Sequence, residues 1–182
     1  MRLALADAAH LDLTISINVS PLQLLDANFI QDVAAAVEES GVSPSKVCLE
    51  LTESALRDVE ATRAALLELK GLGLLIAIDD FGTGYSSLSE LSRLPLDFLK
   101  VDRSFVARLG TGEADDAVVR AMFTLASSLS IQVIAEGVET HQQESMLHAM
   151  GCRLAQGFLY SRAVTREELP RMYRAWSSAV VR

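Results

Sequence analysis

Short apolar runs alternate along this chain with longer stretches of mixed character, and the alternation predicts a repeating strand–helix order. Residues 13–19 (LTISINV) are β-rich. Residues 28–40 place Phe29, Ile30, Val33, Ala36 and Val37 at helical spacing, with Gly41 as a stop. The pattern then predicts strands over 47–51, 74–78, 98–101, 132–135 and 153–155. Between and after them it predicts helices over 58–72, 85–93, 113–130, 140–150 and 165–176. Thr165 and Glu168 have capping-box spacing at the start of the last helix. Strict alternation with near-continuous apolar strands predicts an α/β fold with a parallel sheet buried on both faces. No linker or low-complexity tract interrupts it.

Parallel α/β folds carry their chemistry at the carboxyl ends of strands. Here those ends hold Asn18, Glu50, Asp79 with Asp80, Lys100 followed by Asp102, Glu136 and Gln156. An open doubly wound sheet gathers ligands at one switch point, whereas contributions from every strand favour a ring, so a barrel is the expected architecture. Asn18, Glu50, Asp79, Asp80 and Glu136 are hard oxygen donors, suited to Mg²⁺ or Mn²⁺ and not to a Cys/His zinc site. Adjacent aspartates can flank a pair of ions, as two-metal phosphodiester hydrolysis requires. Lys100 supplies a fixed positive group that can orient or deprotonate a water, or balance phosphate charge. Each residue also has a plainer reading. Asp79 and Asp80 can cap a segment, Glu50 can form an ion pair, Lys100 can reach solvent past the sheet, Asn18 can serve the turn before Pro21, and Gln156 says little alone. The set is more specific than any member.

Composition narrows the classes further. The 182 residues are 50% hydrophobic and 22% charged, enough for a sizeable core. The net charge of −8 argues against a duplex nucleic acid partner. The charge is uneven: residues 1–91 hold 5 Lys+Arg against 14 Asp+Glu, and residues 92–182 hold 11 against 10. The longest apolar run, residues 72–78, is too short for a membrane segment. No secretory leader is legible at the start, and Cys48 and Cys152 form no CxxC pair, so a reducing cytoplasmic location is expected. Asp80-Phe81-Gly82 has no kinase companions, Gly82-Thr83-Gly84 lacks a P-loop continuation, and Asn18-Val19-Ser20 is discounted as a glycosylation site. His10, His141 and His148 are isolated, and Met122, Met146 and Met150 read as core.

With these residues in hand, DDFGTGYSSL at 79–88 resembles the signature loop of bacterial EAL-domain phosphodiesterases. Companions match in order: Asn18 in INVSP, Glu50 and Glu53 in ELTES, Lys100 in LKVDRSF, Glu136 in IAEGVE and Gln156 in AQGFLYSR. The resemblance spans residues 13–169. It implies a (β/α)8-type, TIM-like barrel that hydrolyses cyclic di-GMP to a linear dinucleotide with Mg²⁺ or Mn²⁺. It implies metal ligation by Asn18, Glu50, Asp79 and Asp80, with Glu136 at the second metal or its water. Lys100 would orient the attacking water, and Gln156 would hydrogen-bond in the same cluster. Glu53 would anchor the loop after Asp80. Arg103, Ser161 and Arg162 are candidate substrate contacts.

Two departures accompany the match. The family's Glu-Ala-Leu segment, with its metal-binding Glu and phosphate-gripping Arg, has no counterpart here, and RLALADAAH resembles the helix that follows it. Ala163 stands where the family carries proline after Ser161-Arg162. A full barrel needs about 250 residues. The expectation is therefore a single partial domain over 1–182, with about six βα units and little or no turnover alone. Its unpaired strand edges imply a homodimer or a partner domain. The alternatives are a non-catalytic cyclic di-GMP receptor or interaction module, and a fragment with no function of its own.

Overall fold

The computed structural model describes residues 1–57, 59–84 and 88–179. In chain order the elements are α1 (Arg2–Ala8), β1 (Ile15–Val19), α2 (Pro21–Leu24), α3 (Phe29–Ser40), β2 (Val47–Thr52), α4 (Val59–Gly71), β3 (Leu75–Phe81), α5 (Leu88–Leu91), β4 (Phe98–Val101), α6 (Arg103–Val106), α7 (Glu113–Ser128), β5 (Gln132–Glu136), α8 (His141–Ala149), β6 (Leu154–Gln156) and α9 (Leu169–Ala179). Short 3₁₀ turns precede β2 (Pro44–Lys46) and follow it (Glu53–Arg57).

Local chemistry sets many boundaries. Ser20 and Gln23 cap each other's backbone at α2, with Pro21 in the first turn. Thr140 and Gln143 do the same at α8. Asp102 accepts the Ser104 N–H at 3.0 Å and starts α6 directly after β4. The capping box expected at Thr165 forms only in part. Glu168 accepts the Thr165 N–H at 2.9 Å, but a turn follows and α9 begins at Leu169. β6 starts one residue later than expected because the Cys152 N–H still bonds the Leu147 carbonyl at the end of α8. The helix expected over 85–93 is seen as Leu88–Leu91, and its start at 85–87 lies outside the described residues, as does Asp58 before α4.

All strand pairs are parallel, and the order is β1-β2-β3-β4-β5-β6. Each strand neighbours its successor with no reversal, so the doubly wound alternative is excluded and the sheet is the wall of an incomplete barrel. Among the described residues β1 and β6 are the outer edges. The convex face carries Leu49, Leu51, Ile76, Ile78, Leu99 and Val101, each at most 1% exposed. They pack in one core with Val33 and Val37 of α3, Leu66 and Leu69 of α4, and Val119 and Phe123 of α7. Each such side chain contributes on the order of 1.5–3 kcal/mol by leaving water. Between β3 and β4, Asp97 accepts both Lys70 Nζ and the Ile76 N–H at 2.8 Å, tying the end of α4 to the sheet.

Candidate active site

Strand alternation puts the polar residues on the concave face. Asn18 lies level with Glu50 across β1 and β2, and Glu136 lies level with Gln156 across β5 and β6. Lys100 stands between them on β4, 3% exposed. Its Nζ lies 2.7 Å from Glu50 Oε2, 2.7 Å from Glu136 Oε1 and 3.0 Å from Asp79 Oδ1. Gln156 Nε2 donates to Glu136 Oε1 at 2.6 Å.

Asp79 and Asp80 are neighbours, so a regular strand would send them to opposite faces. β3 avoids this with a bulge. Ile78 pairs Leu99 and Phe81 pairs Val101, so two aspartates stand opposite the single residue Lys100. Asp80 takes a left-handed backbone, φ 55°, and the Asp80 N–H donates to Asp79 Oδ1 at 3.0 Å. As a result Asp79, Asp80 and Glu136 each bring a carboxylate oxygen within 4.8 Å of the others. Glu50 stands outside this trio, held by Lys100. Positive φ in a non-glycine residue is costly and clusters at functional sites.

Three carboxylates thus contact one ammonium group, and a fourth, that of Asp80, adjoins two of them. Burial alone would push Lys100 down, but its three charged hydrogen bonds outweigh it and hold its pKa above the ordinary lysine range. Two of the acids are pushed the other way, toward their neutral forms. Burial, then Asp79 and Asp102, push Asp80 up. Burial pushes Glu136 up in spite of Lys100, with Asp79 and Glu50 adding to the rise. An all-oxygen set with unbalanced negative charge fits a hard divalent cation. Cys48 shares the concave face with Glu50, a placement readable from strand period. Burial, then Glu50, push its thiol up to about 12, so it is no nucleophile at neutral pH.

The loop after Asp80 is held from two sides. Glu53, 7% exposed, accepts the Gly82 N–H at 3.2 Å and the Gly84 N–H at 3.0 Å through one oxygen, Oε2. On the other side the Phe105 ring and the Met122 methyl press on Gly82. Sequence reasoning placed Met122 in the core and did not single out Phe105, because neither carries a polar signal. Arg103 lies beside the site, and its charge acts on Asp80 and Asp102. Its Cβ fills the space over Gly137, where an added Cβ would meet it at 2.5 Å, so only glycine fits after Glu136. Ser161 and Arg162 lie farther along the chain. The Ser161 hydroxyl donates to the Arg162 carbonyl at 2.7 Å, and the Arg162 guanidinium stacks 4.5 Å over Phe158. Neither is joined to the carboxylate cluster by these contacts. No helix among the described residues is long and apolar enough to cross a membrane.

Comparison with known proteins places this arrangement. The family model described as EAL domain matches residues 1–163. The bifunctional diguanylate cyclase/cyclic di-GMP phosphodiesterase MucR of Pseudomonas aeruginosa is 44% identical over 170 residues, which are 93% of this chain and 25% of MucR. The crystal structure of the EAL domain of Mycobacterium smegmatis DcpA superposes with a TM-score of 0.91 at 43% identity, covering 96% of this chain and 82% of that one. Klebsiella pneumoniae BlrP1, solved as a complex with manganese and cyclic di-GMP, superposes with a TM-score of 0.82 at 35% identity, covering 88% and 42%. The chain spans about a quarter of the length of the curated relatives it matches.

Proposed function

The chain belongs to the EAL domain family, and from that premise we propose that it forms the catalytic face of a cyclic di-GMP phosphodiesterase. The observation that carries the proposal is the bulge that turns Asp79 and Asp80 to one side, beside Glu136 and Lys100. Asp79, Asp80 and Glu136, with Glu50 and Asn18 level with each other on β2 and β1, would hold Mg²⁺ or Mn²⁺. Bound there, the cations supply Lewis-acid stabilisation of phosphoryl oxygens and a water that ionises near neutral pH.

The chain's own groups do the rest. Lys100, which three carboxylates hold above the ordinary lysine range, would orient a water and balance phosphate charge. Gln156 fixes the Glu136 carboxylate through one of its oxygens. Glu53 holds the backbone that carries Asp80. Arg103, whose charge acts on Asp80, would meet a substrate phosphate, with Ser161 and Arg162 as further contacts. We place the protein in the cytoplasm, in keeping with two free, buried thiols. Among the described residues β1 and β6 are the outer strands, and a second copy or a partner domain would pair there.

The test is incubation with Mn²⁺ and cyclic di-GMP, comparing the chain with Asp80→Asn. Metal-dependent appearance of the linear dinucleotide, even slow, that falls by about a hundredfold or more in the variant supports the proposal. Tight cyclic di-GMP binding with no conversion would transfer the chain to the receptor class, and neither binding nor conversion would remove both.

A further inference from the structure

We propose that Met122 and Phe105 are positioning residues for Asp80, acting as the second jaw of a clamp whose first jaw is Glu53. The inference deepens the metal-site reading above and rests on it only where metal affinity is concerned. Gly82 lies two residues beyond Asp80 and has φ 96°. A Cβ added there would lie 2.4 Å from Met122 Cε and 2.9 Å from Phe105 Cε2. The α-carbon is therefore covered by side chains on that face. Glu53 takes the N–H groups of Gly82 and Gly84, and a Cβ on Gly84 would lie 2.9 Å from the Glu53 carboxylate carbon. The segment 82–84 thus meets the Glu53 carboxylate at both glycines and a methyl and an aromatic ring at Gly82.

The two jaws resist different motions. Hydrogen bonds to Glu53 hold the N–H groups at bonding distance but restrain a sideways swing of the loop only weakly, because hydrogen bonds tolerate bending better than stretching. The packed pair blocks that swing. Asp80 depends on this stop because the bonds of its left-handed backbone among the described residues are local, its N–H donating to Asp79 Oδ1 at 3.0 Å. Its carbonyl accepts the Thr83 hydroxyl at 2.8 Å and the Thr83 N–H at 3.3 Å, both from within the same loop. A loop that relaxes can return Asp80 to ordinary φ, and the bulge that pairs it with Asp79 is then lost. Met122 is buried in α7, so the stop is anchored in a 16-residue helix and not in the loop itself. Thioether side chains fill such gaps without demanding a fixed shape.

Met122→Ala, Met122→Leu and a control, Leu147→Ala on α8, separate positioning from general stability. Two readouts are taken on the whole chain. One is amide hydrogen exchange of Gly82 and Gly84, which needs no metal. The other is Mn²⁺ affinity from the loss of the free-ion electron paramagnetic resonance signal. Met122→Ala should speed exchange at both amides by about tenfold and weaken Mn²⁺ by about tenfold. Met122→Leu should restore both, and Leu147→Ala should lower the melting temperature without moving either. Unchanged exchange in Met122→Ala overturns the clamp. Faster exchange with unchanged Mn²⁺ affinity overturns the positioning role. If the unsubstituted chain binds no Mn²⁺, the metal-site reading fails, and with it the positioning role, while the exchange arm still decides the clamp.

Discussion

Leu99 and Lys100 are adjacent on β4 and nearly equally buried, 0% and 3% exposed, yet they meet opposite worlds. Leu99 faces a convex layer of aliphatic side chains packed under helices. Lys100 faces three carboxylates. On the convex side burial itself is the stabilising force, and shape is the only constraint. On the concave side burial is a cost that charge pairing offsets only in part. One strand therefore joins a face that holds the fold together to a face that spends stability on chemistry.

The largest expected effect comes from breaking the concave side. Lys100→Met should leave the buried Glu50 and the half-buried Asp79 and Glu136 without their ammonium and destabilise by about 3–5 kcal/mol. Urea denaturation measures it, and added Mn²⁺ should recover part of the loss if the acids can share a cation. Breaking the convex side comes next. Leu99→Ala should cost about 2–5 kcal/mol through lost transfer energy and a cavity, with no recovery on adding Mn²⁺. Equal Mn²⁺ responses in the two variants would dissolve the contrast between the faces.

A pH series sharpens the same contrast with the smallest effect. Asp80 and Glu136 have carboxyl pKa values raised above the ordinary range. In the metal-free fold such groups hold protons more firmly than in the unfolded chain. Their contribution to stability is full below the unfolded carboxylate range and is lost as pH rises through the raised values. A bound cation favours the charged forms. The rise in melting temperature on adding Mn²⁺ should therefore grow from mildly acidic to neutral pH. A constant rise across that window would mean that these two acids are not the ones answering to the metal.

Much of this was legible in sequence. Period-two alternation sorted Leu49 from Glu50 and Leu99 from Lys100, because strand geometry leaves no other choice. The spacing of apolar runs gave the parallel order, and residue type gave an oxygen-donor site. The capping box expected at Thr165 forms only in part, while Thr140 and Asp102 supply caps that the apolar pattern does not mark. What period two could not supply is Asp80, which simple alternation assigns to the wrong face. Nor could spacing show that Lys100 reaches three acids at once, or that Gly82 is seated against Met122 and Phe105. Those depend on a bulge and on side chains arriving from β2, β5, α6 and α7, distant in sequence. The sequence by itself determined which polar residues stand at the strand ends and, Asp80 apart, which of them line the concave face. Only the tertiary structure decided which of them touch, because contact across strands depends on register and backbone strain, and neither is encoded at any single position.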